Sequence, residues 1–151
     1  GEIGHMHVDD NETDSCNCGR KGCLEQYASA TGLVRLAKRY FEKNTKNSIL
    51  TGKEITAKEV FDAAKAGDAA ALEITEEFGA YLGQALVNLA ATVDPAVFVI
   101  GGGVSKAGDI LLETVRKYFY DHAFYGNQKT KITLATLGND AGIYGAAKQV
   151  L

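Results

Sequence analysis

Residues 96–109 read AVFVIGGGVSKAGD, and this stretch decides the class of the fold. Ala96 to Ile100 is short, β-branched and continuously apolar, the pattern of an interior parallel strand covered on both faces. Gly101-Gly102-Gly103 follows as a turn, and Ser105 or Asp109 then opens a helix to about Phe124. Lys131 to Ala135, KITLA, is a second strand, so strand, glycine turn, helix and strand make one βαβ unit with a right-handed crossover. Gly138-Asn139-Asp140 is a turn, and Ala141 to Leu151 is a closing helix. Upstream the chain is helical. Apolar positions from Leu24 to Phe41 recur three, four and seven apart and predict a helix to about Lys43. Thr56-Ala57-Lys58-Glu59 is a capping box for a short helix that Gly67 ends. Asp68 caps a long helix, from about Ala69 to Thr92, that Asp94-Pro95 stops. Gly79 and Gly83 lie four apart on it and share a face suited to close backbone contact. The class is α/β, helix-rich, with a thin parallel sheet.

The bulk numbers are those of one globular domain. The chain has 151 residues, 46% hydrophobic and 23% charged, enough to bury a core. A net charge of −3 with scattered Lys and Arg predicts no nucleic-acid surface. The most apolar stretch, Phe78 to Val93, carries Gln84 and Asn88 and reads as a buried helix, so no membrane span is predicted. Three cysteines are an odd count for a disulfide framework. Their clustering fits a metal in a reducing cytoplasm better, and a cytoplasmic location is expected. The chain starts at Gly1 and enters motif-dense sequence at once, with few strands to follow, so it is expected to be a piece of a larger protein.

That motif-dense start is GEIGHMHVDDNETDSCNCGRKGCLE, residues 1–25. Cys16, Cys18 and Cys23 lie within eight residues, and His5 and His7 sit just upstream. Three sulfurs and one imidazole make a closed, four-ligand structural Zn²⁺ site, with His5 or His7 as the nitrogen. Gly19 and Gly22 let the short loop fold back on one ion. The alternative is three free thiols. Glu2 and Glu25 bracket this site, and carboxylates there would accept hydrogen bonds from paired sugar hydroxyls. Glu25 reads equally as a first-turn residue favoured by a helix dipole. The triple glycine offers bare backbone to a nucleotide, although it lacks the P-loop lysine and reads also as a plain tight turn. His122, late in its helix, is expected to be a surface residue.

GEIGH followed by CNCGRKGCLE resembles the signature of the ROK family (repressors, open reading frames, kinases), and VFVIGGGVSKAGD and LGNDAGIYGAA resemble its C-terminal lobe. The likeness runs over residues 1–151. It implies an actin-like (ribonuclease H-like) lobe of a sugar kinase, with the N-terminal lobe absent. It implies that Glu2, His5 and Glu25 bind the hexose, glucose first among candidates, and that His5, Cys16, Cys18 and Cys23 hold structural Zn²⁺. It places Gly101, Gly102 and Gly103 against ATP, used with Mg²⁺ by the full-length parent to make glucose 6-phosphate for glycolysis. A homo-oligomer is expected of the full-length protein, since dimers are common in the family. The base carboxylate and the phosphate-binding turns precede GEIGH in the family, so no catalytic residue is expected here and the 151 residues alone are expected to be inactive. A sugar-responsive transcriptional repressor of the same family and a zinc-stabilised interaction module are the other readings.

Overall fold

The computed structural model describes residues 1–150, the side chain of Asn139 apart. Five α-helices and two strands follow in the order α1 (Ala30–Lys43), α2 (Ala57–Lys65), α3 (Ala69–Val93), β1 (Val97–Ile100), α4 (Asp109–His122), β2 (Lys131–Leu134) and α5 (Ala141–Lys148). Local chemistry sets several of these boundaries. The Thr56 hydroxyl accepts from the Glu59 amide while the Glu59 carboxylate accepts from the Thr56 amide, so both orphan donors at the start of α2 are met. The Asp68 side chain accepts from the Ala71 amide at 2.9 Å and caps α3. At the other end Asp94 adopts the left-handed conformation, and α3 stops before Pro95.

The first helix begins later than its apolar pattern predicts. Leu24–Gln26 is a single 3₁₀ turn, and α1 starts only at Ala30, where the Ser29 hydroxyl accepts from the Gly32 amide. Gly32 passes so close to the Tyr27 carbonyl that an added Cβ would lie 2.7 Å from its carbon. Ile3–His5 is a 3₁₀ turn, followed by a lone antiparallel bridge from His7 to Cys23. The helix expected from Ser105 or Asp109 divides into a 3₁₀ turn, Gly103–Ala107, and then α4. The closing helix ends at Lys148, and Leu151 lies outside the described residues.

α3 is the centre of the molecule, against which α1, α2 and α4 pack, and Ile74 and Phe78 on it are fully buried. The glycines at 79 and 83 make the α3–α4 crossing close: a Cβ on Gly79 would sit 2.7 Å from Cβ of Thr114, and one on Gly83 2.8 Å from Cβ of Tyr118. Neither neighbour is a flexible tip, so added bulk must part the helices. Gly79→Val is expected to lower the unfolding free energy by about 1–3 kcal/mol, outweighing the up to about 1 kcal/mol of helix propensity gained by replacing glycine. Urea unfolding of the two proteins side by side checks this.

β1 and β2 pair in parallel, with Val97 opposite Lys131 and Ile100 opposite Leu134. α4 covers one face of the pair, where Phe98 meets Phe119 edge-on at 6.0 Å and Ile132 is buried. The other face corrects the expectation of a strand covered on both sides. Val97 and Val99 alternate onto it and stand 44% and 60% exposed. α5 likewise buries none of its described residues.

Candidate functional site

The first 28 residues fold back on themselves as two short antiparallel arms. The Val8 amide donates to the Gly22 carbonyl at 2.7 Å, and the Leu24 amide to Met6 at 2.8 Å. The Cys16 amide donates to Arg20 at 2.7 Å, closing the inner loop. Gly22 is obligatory at the crossing of the arms. Its φ is +72°, and a Cβ there would come 2.1 Å from the Asp9 carbonyl oxygen.

The fold-back gathers four ligand atoms, one each from His5, Cys16, Cys18 and Cys23, all within 4.8 Å of one another. The Cys18 and Cys23 sulfurs are 3.5 Å apart, and His5 Nδ1 is 3.7 Å from Cys16 Sγ. A tetrahedral Zn²⁺ with bonds of about 2.0–2.3 Å has ligand–ligand edges of roughly 3.3–3.8 Å, and the Cys18–Cys23 and His5–Cys16 separations fall in that range. Three thiols and one imidazole are a donor set that could hold a metal ion. Cys16 and Cys23 are buried thiols; Cys16 meets Glu25 and His5, and Cys23 meets Cys18. The Cys18 amide draws the Cys16 thiol down. The hydrogen bond to Glu25, burial and the neighbouring sulfurs outweigh it and push the thiol up to about 12. Burial raises Cys23 too, while backbone hydrogen bonding from Arg20 brings Cys18 down to about 6. A divalent cation removes this conflict, because each sulfur can then be a thiolate.

His7 stays outside the cluster. Its Nε2 is 2.8 Å from Asp10 Oδ1 and its Nδ1 is 3.1 Å from the Lys21 carbonyl, so both ring nitrogens are already engaged. Glu25 stands beside the cluster: Oε1 accepts from Cys16 Sγ at 3.0 Å and lies 4.0 Å from His5 Nδ1. Glu25 and Cys16 also border an open hollow of about 300 Å³, lined further by Asp14, Asn17, Thr31 and Arg35. Glu2 is exposed ahead of the 3₁₀ turn; its carbonyl accepts the His5 amide at 3.1 Å, and its side chain does not cap that turn.

At the glycine turn, Gly102 takes φ +77° and its carbonyl accepts from the Ser105 hydroxyl at 2.7 Å. Of the three glycines only Gly103 borders the adjoining cavity of about 170 Å³. Val104, Ala107, Ala57 and Phe61 line it with apolar surface, and Lys58, Lys65, Lys106 and Asp62, the last paired with Lys58 and Lys65, supply charged groups. His122 is exposed and stacks on Tyr118 at 4.0 Å, away from both sites' lining residues.

Sequence reasoning missed a charged knot beneath the cysteine loop. Glu12 is buried, although it comes from a polar loop. Arg35 and Arg39, one turn apart on α1, reach it at 2.6 and 2.7 Å, and both also reach Asp14 at 2.9 Å. The Tyr27 hydroxyl donates to Glu12 and to Asp9, and its ring stacks on Tyr81 at 4.0 Å. The i, i+4 spacing of the two arginines was a visible signal; the identity of their partner was not.

The sequence model of the ROK family matches residues 1–151. The chain belongs to the ROK family. It is 43% identical over 150 residues to the glucokinase of Halalkalibacterium halodurans, covering 96% of this chain and 46% of that protein. It superposes with a TM-score of 0.86 and 36% identity on a ROK family glucokinase from Streptomyces griseus in complex with glucose and AMPPNP, over 98% of this chain and 50% of that one. It also superposes, at a TM-score of 0.74 and 28% identity, on a ROK family transcriptional regulator homologous to the E. coli MLC protein, over 89% of this chain and 34% of that one. This ROK chain thus spans about half the length of the curated relatives it matches, and no described helix is long and apolar enough to cross a membrane.

Proposed function

We propose that this chain is the C-terminal lobe of an ATP-dependent hexose kinase, with glucose as the favoured sugar. The observation that carries the reading is the placement of His5 and Glu25 at one cysteine cluster, with Glu25 and Cys16 at the edge of an open hollow. His5, Cys16, Cys18 and Cys23 would hold Zn²⁺, which supplies a rigid structural knot and no reaction step. With Cys16 held as a thiolate it no longer donates to Glu25, and both carboxylate oxygens are free to accept from sugar hydroxyls. His5 turns Nδ1 toward the sulfurs, so its tautomer is set and Nε2 is left for the sugar. Glu2 would complete the carbohydrate contacts from the same arm. MgATP would lie with its adenosine in the apolar cavity at Gly103 and its phosphates near the Gly101–Gly102 backbone.

Phosphoryl transfer is mostly positioning and charge neutralisation around MgATP. The family resemblance implies that a base carboxylate and phosphate turns would precede GEIGH, so this chain by itself is expected to show no glucose-dependent ATP turnover. In the full-length protein, Glu25→Gln is expected to weaken glucose binding about 10- to 100-fold, the cost of losing charged hydrogen bonds worth about 1.5–3 kcal/mol. Calorimetric titration of glucose checks this, and unchanged affinity would remove Glu25 from the site. The likeness to a transcriptional regulator supports a second reading, a sugar-responsive repressor. Glucose binding by the full-length protein without ATP consumption would favour it.

A further inference from the structure

The charged knot under the cysteine loop connects to a metal ligand through an unbroken line of hydrogen bonds. Arg39 holds both carboxylate oxygens of Glu12, at 2.7 and 3.1 Å. Glu12 Oε1 in turn accepts from the Asp14 amide at 2.8 Å. The Asp14 carbonyl accepts from the Gln26 side-chain amide at 3.0 Å. The Gln26 side-chain oxygen then accepts from the Cys23 amide at 3.1 Å. Arg35 ties the line to α1 a second time by donating to the Gln26 carbonyl at 3.3 Å. Glu12 and Gln26 are both buried, and the Cys23–Gln26 bond is shielded from water. The line crosses from one arm of the loop, residues 12–16, to the other, residues 23–26. Between them the two arms carry Cys16, Cys23 and Glu25.

From this continuity we infer that Glu12 and Gln26 are positioning residues for the metal-and-sugar site: they fix the separation of the two arms before any ligand arrives. This rests on the zinc reading of the cluster. Two guanidiniums around one buried carboxylate make a rigid anchor, since the carboxylate's charge is compensated only while both arginines stay in place. Gln26 is suited to the joint because its side-chain amide carries on one planar group the acceptor that meets Cys23 and the donor that meets Asp14. Preorganisation of this kind acts on ligand affinity, whereas a purely structural ion pair acts on folding alone.

The test measures Zn²⁺ affinity by chelator competition on folded protein, with circular dichroism at the working temperature and the visible spectrum of the Co²⁺-substituted form. Gln26→Met and Glu12→Gln are expected to weaken Zn²⁺ binding by about tenfold or more, the low end of what outer-shell partners contribute. The Co²⁺ spectrum should keep its tetrahedral thiolate bands, because the ligands themselves are intact. If Glu12→Gln fails to fold, Gln26→Met, which keeps all the charges, decides the matter alone. Wild-type Zn²⁺ affinity in folded Gln26→Met would overturn the positioning role even if its melting temperature falls. Should the wild-type protein bind no Zn²⁺, the metal reading fails first, and that result is distinguishable from the other.

Discussion

If the cysteine cluster holds Zn²⁺ as proposed, Cys23→Ser is expected to abolish metal binding and unfold the first 28 residues while α1 to α4 remain. Cys23 is 1% exposed, and its sulfur sits 3.5 Å from that of Cys18. A serine hydroxyl ionises far less readily than a thiol and is a poor zinc ligand, so three donors remain where a closed structural site needs four. In small zinc peptides the metal contributes on the order of 10 kcal/mol, and folding there is metal binding. Here the helices have a core of their own, centred on Ile74, Phe78, Leu111 and Phe119, all fully buried. The loss should therefore be local. Outside the cysteine cluster, the arms rest on a few backbone bonds, the Glu12 knot and the burial of Leu24 and Tyr27. Hydrogen exchange should show lost protection at Val8, Cys16 and Leu24, whose amides close the fold-back, and unchanged protection through α3. Strong chelation of the wild-type protein should reproduce the pattern. Retained metal, or protection lost evenly over the chain, would contradict it.

Legibility followed the range of the interaction. The Thr56 box and the Asp68 cap were readable because donor and acceptor are three residues apart. The Gly79–Gly83 face was readable because helical periodicity is local, although Thr114 and Tyr118, which it meets, were not. The start of α1 was misplaced because Leu24, Tyr27 and Ala28 keep a helical period, whereas Ser29 is the residue that caps. Apolar continuity in AVFVI shows that both faces of β1 shun water but not what covers each, and Val97 and Val99 are left exposed. Spacing alone left His5 and His7 equal as candidates. Asp10, three residues beyond His7, engages that ring, and a histidine–carboxylate pair at i, i+3 was the overlooked signal. Glu12 was invisible because its burial depends on arginines 23 and 27 residues away that reach it only after α1 is packed.

Acid is expected to unfold this chain through Glu12. Its side chain has no exposed surface, and burial alone would favour the neutral acid. The bonds from Arg39, Arg35 and Tyr27 and the Asp14 amide overcome that and hold the carboxyl far below the usual carboxylate range. In the unfolded chain Glu12 regains an ordinary value near 4.5. The native state therefore binds fewer protons than the unfolded state below that pH. The stability it confers is full above about pH 4.5 and falls by up to about 1.4 kcal/mol per pH unit as acid is added, until the native carboxyl is itself protonated. The arginines hold Asp14 down as well, which steepens the same limb. Glu12→Gln removes the titrating group and leaves two guanidiniums facing an amide. At pH 7 it is expected to cost about 3–5 kcal/mol, the usual penalty for removing one partner of a buried ion pair. Between pH 4.5 and 2.5 its stability should fall less steeply than that of the wild type, by about one proton's worth of slope. Urea unfolding at a series of pH values on both proteins resolves the two effects. Parallel pH profiles would show that Glu12 is not the acid-sensitive bond, whatever the loss at neutral pH.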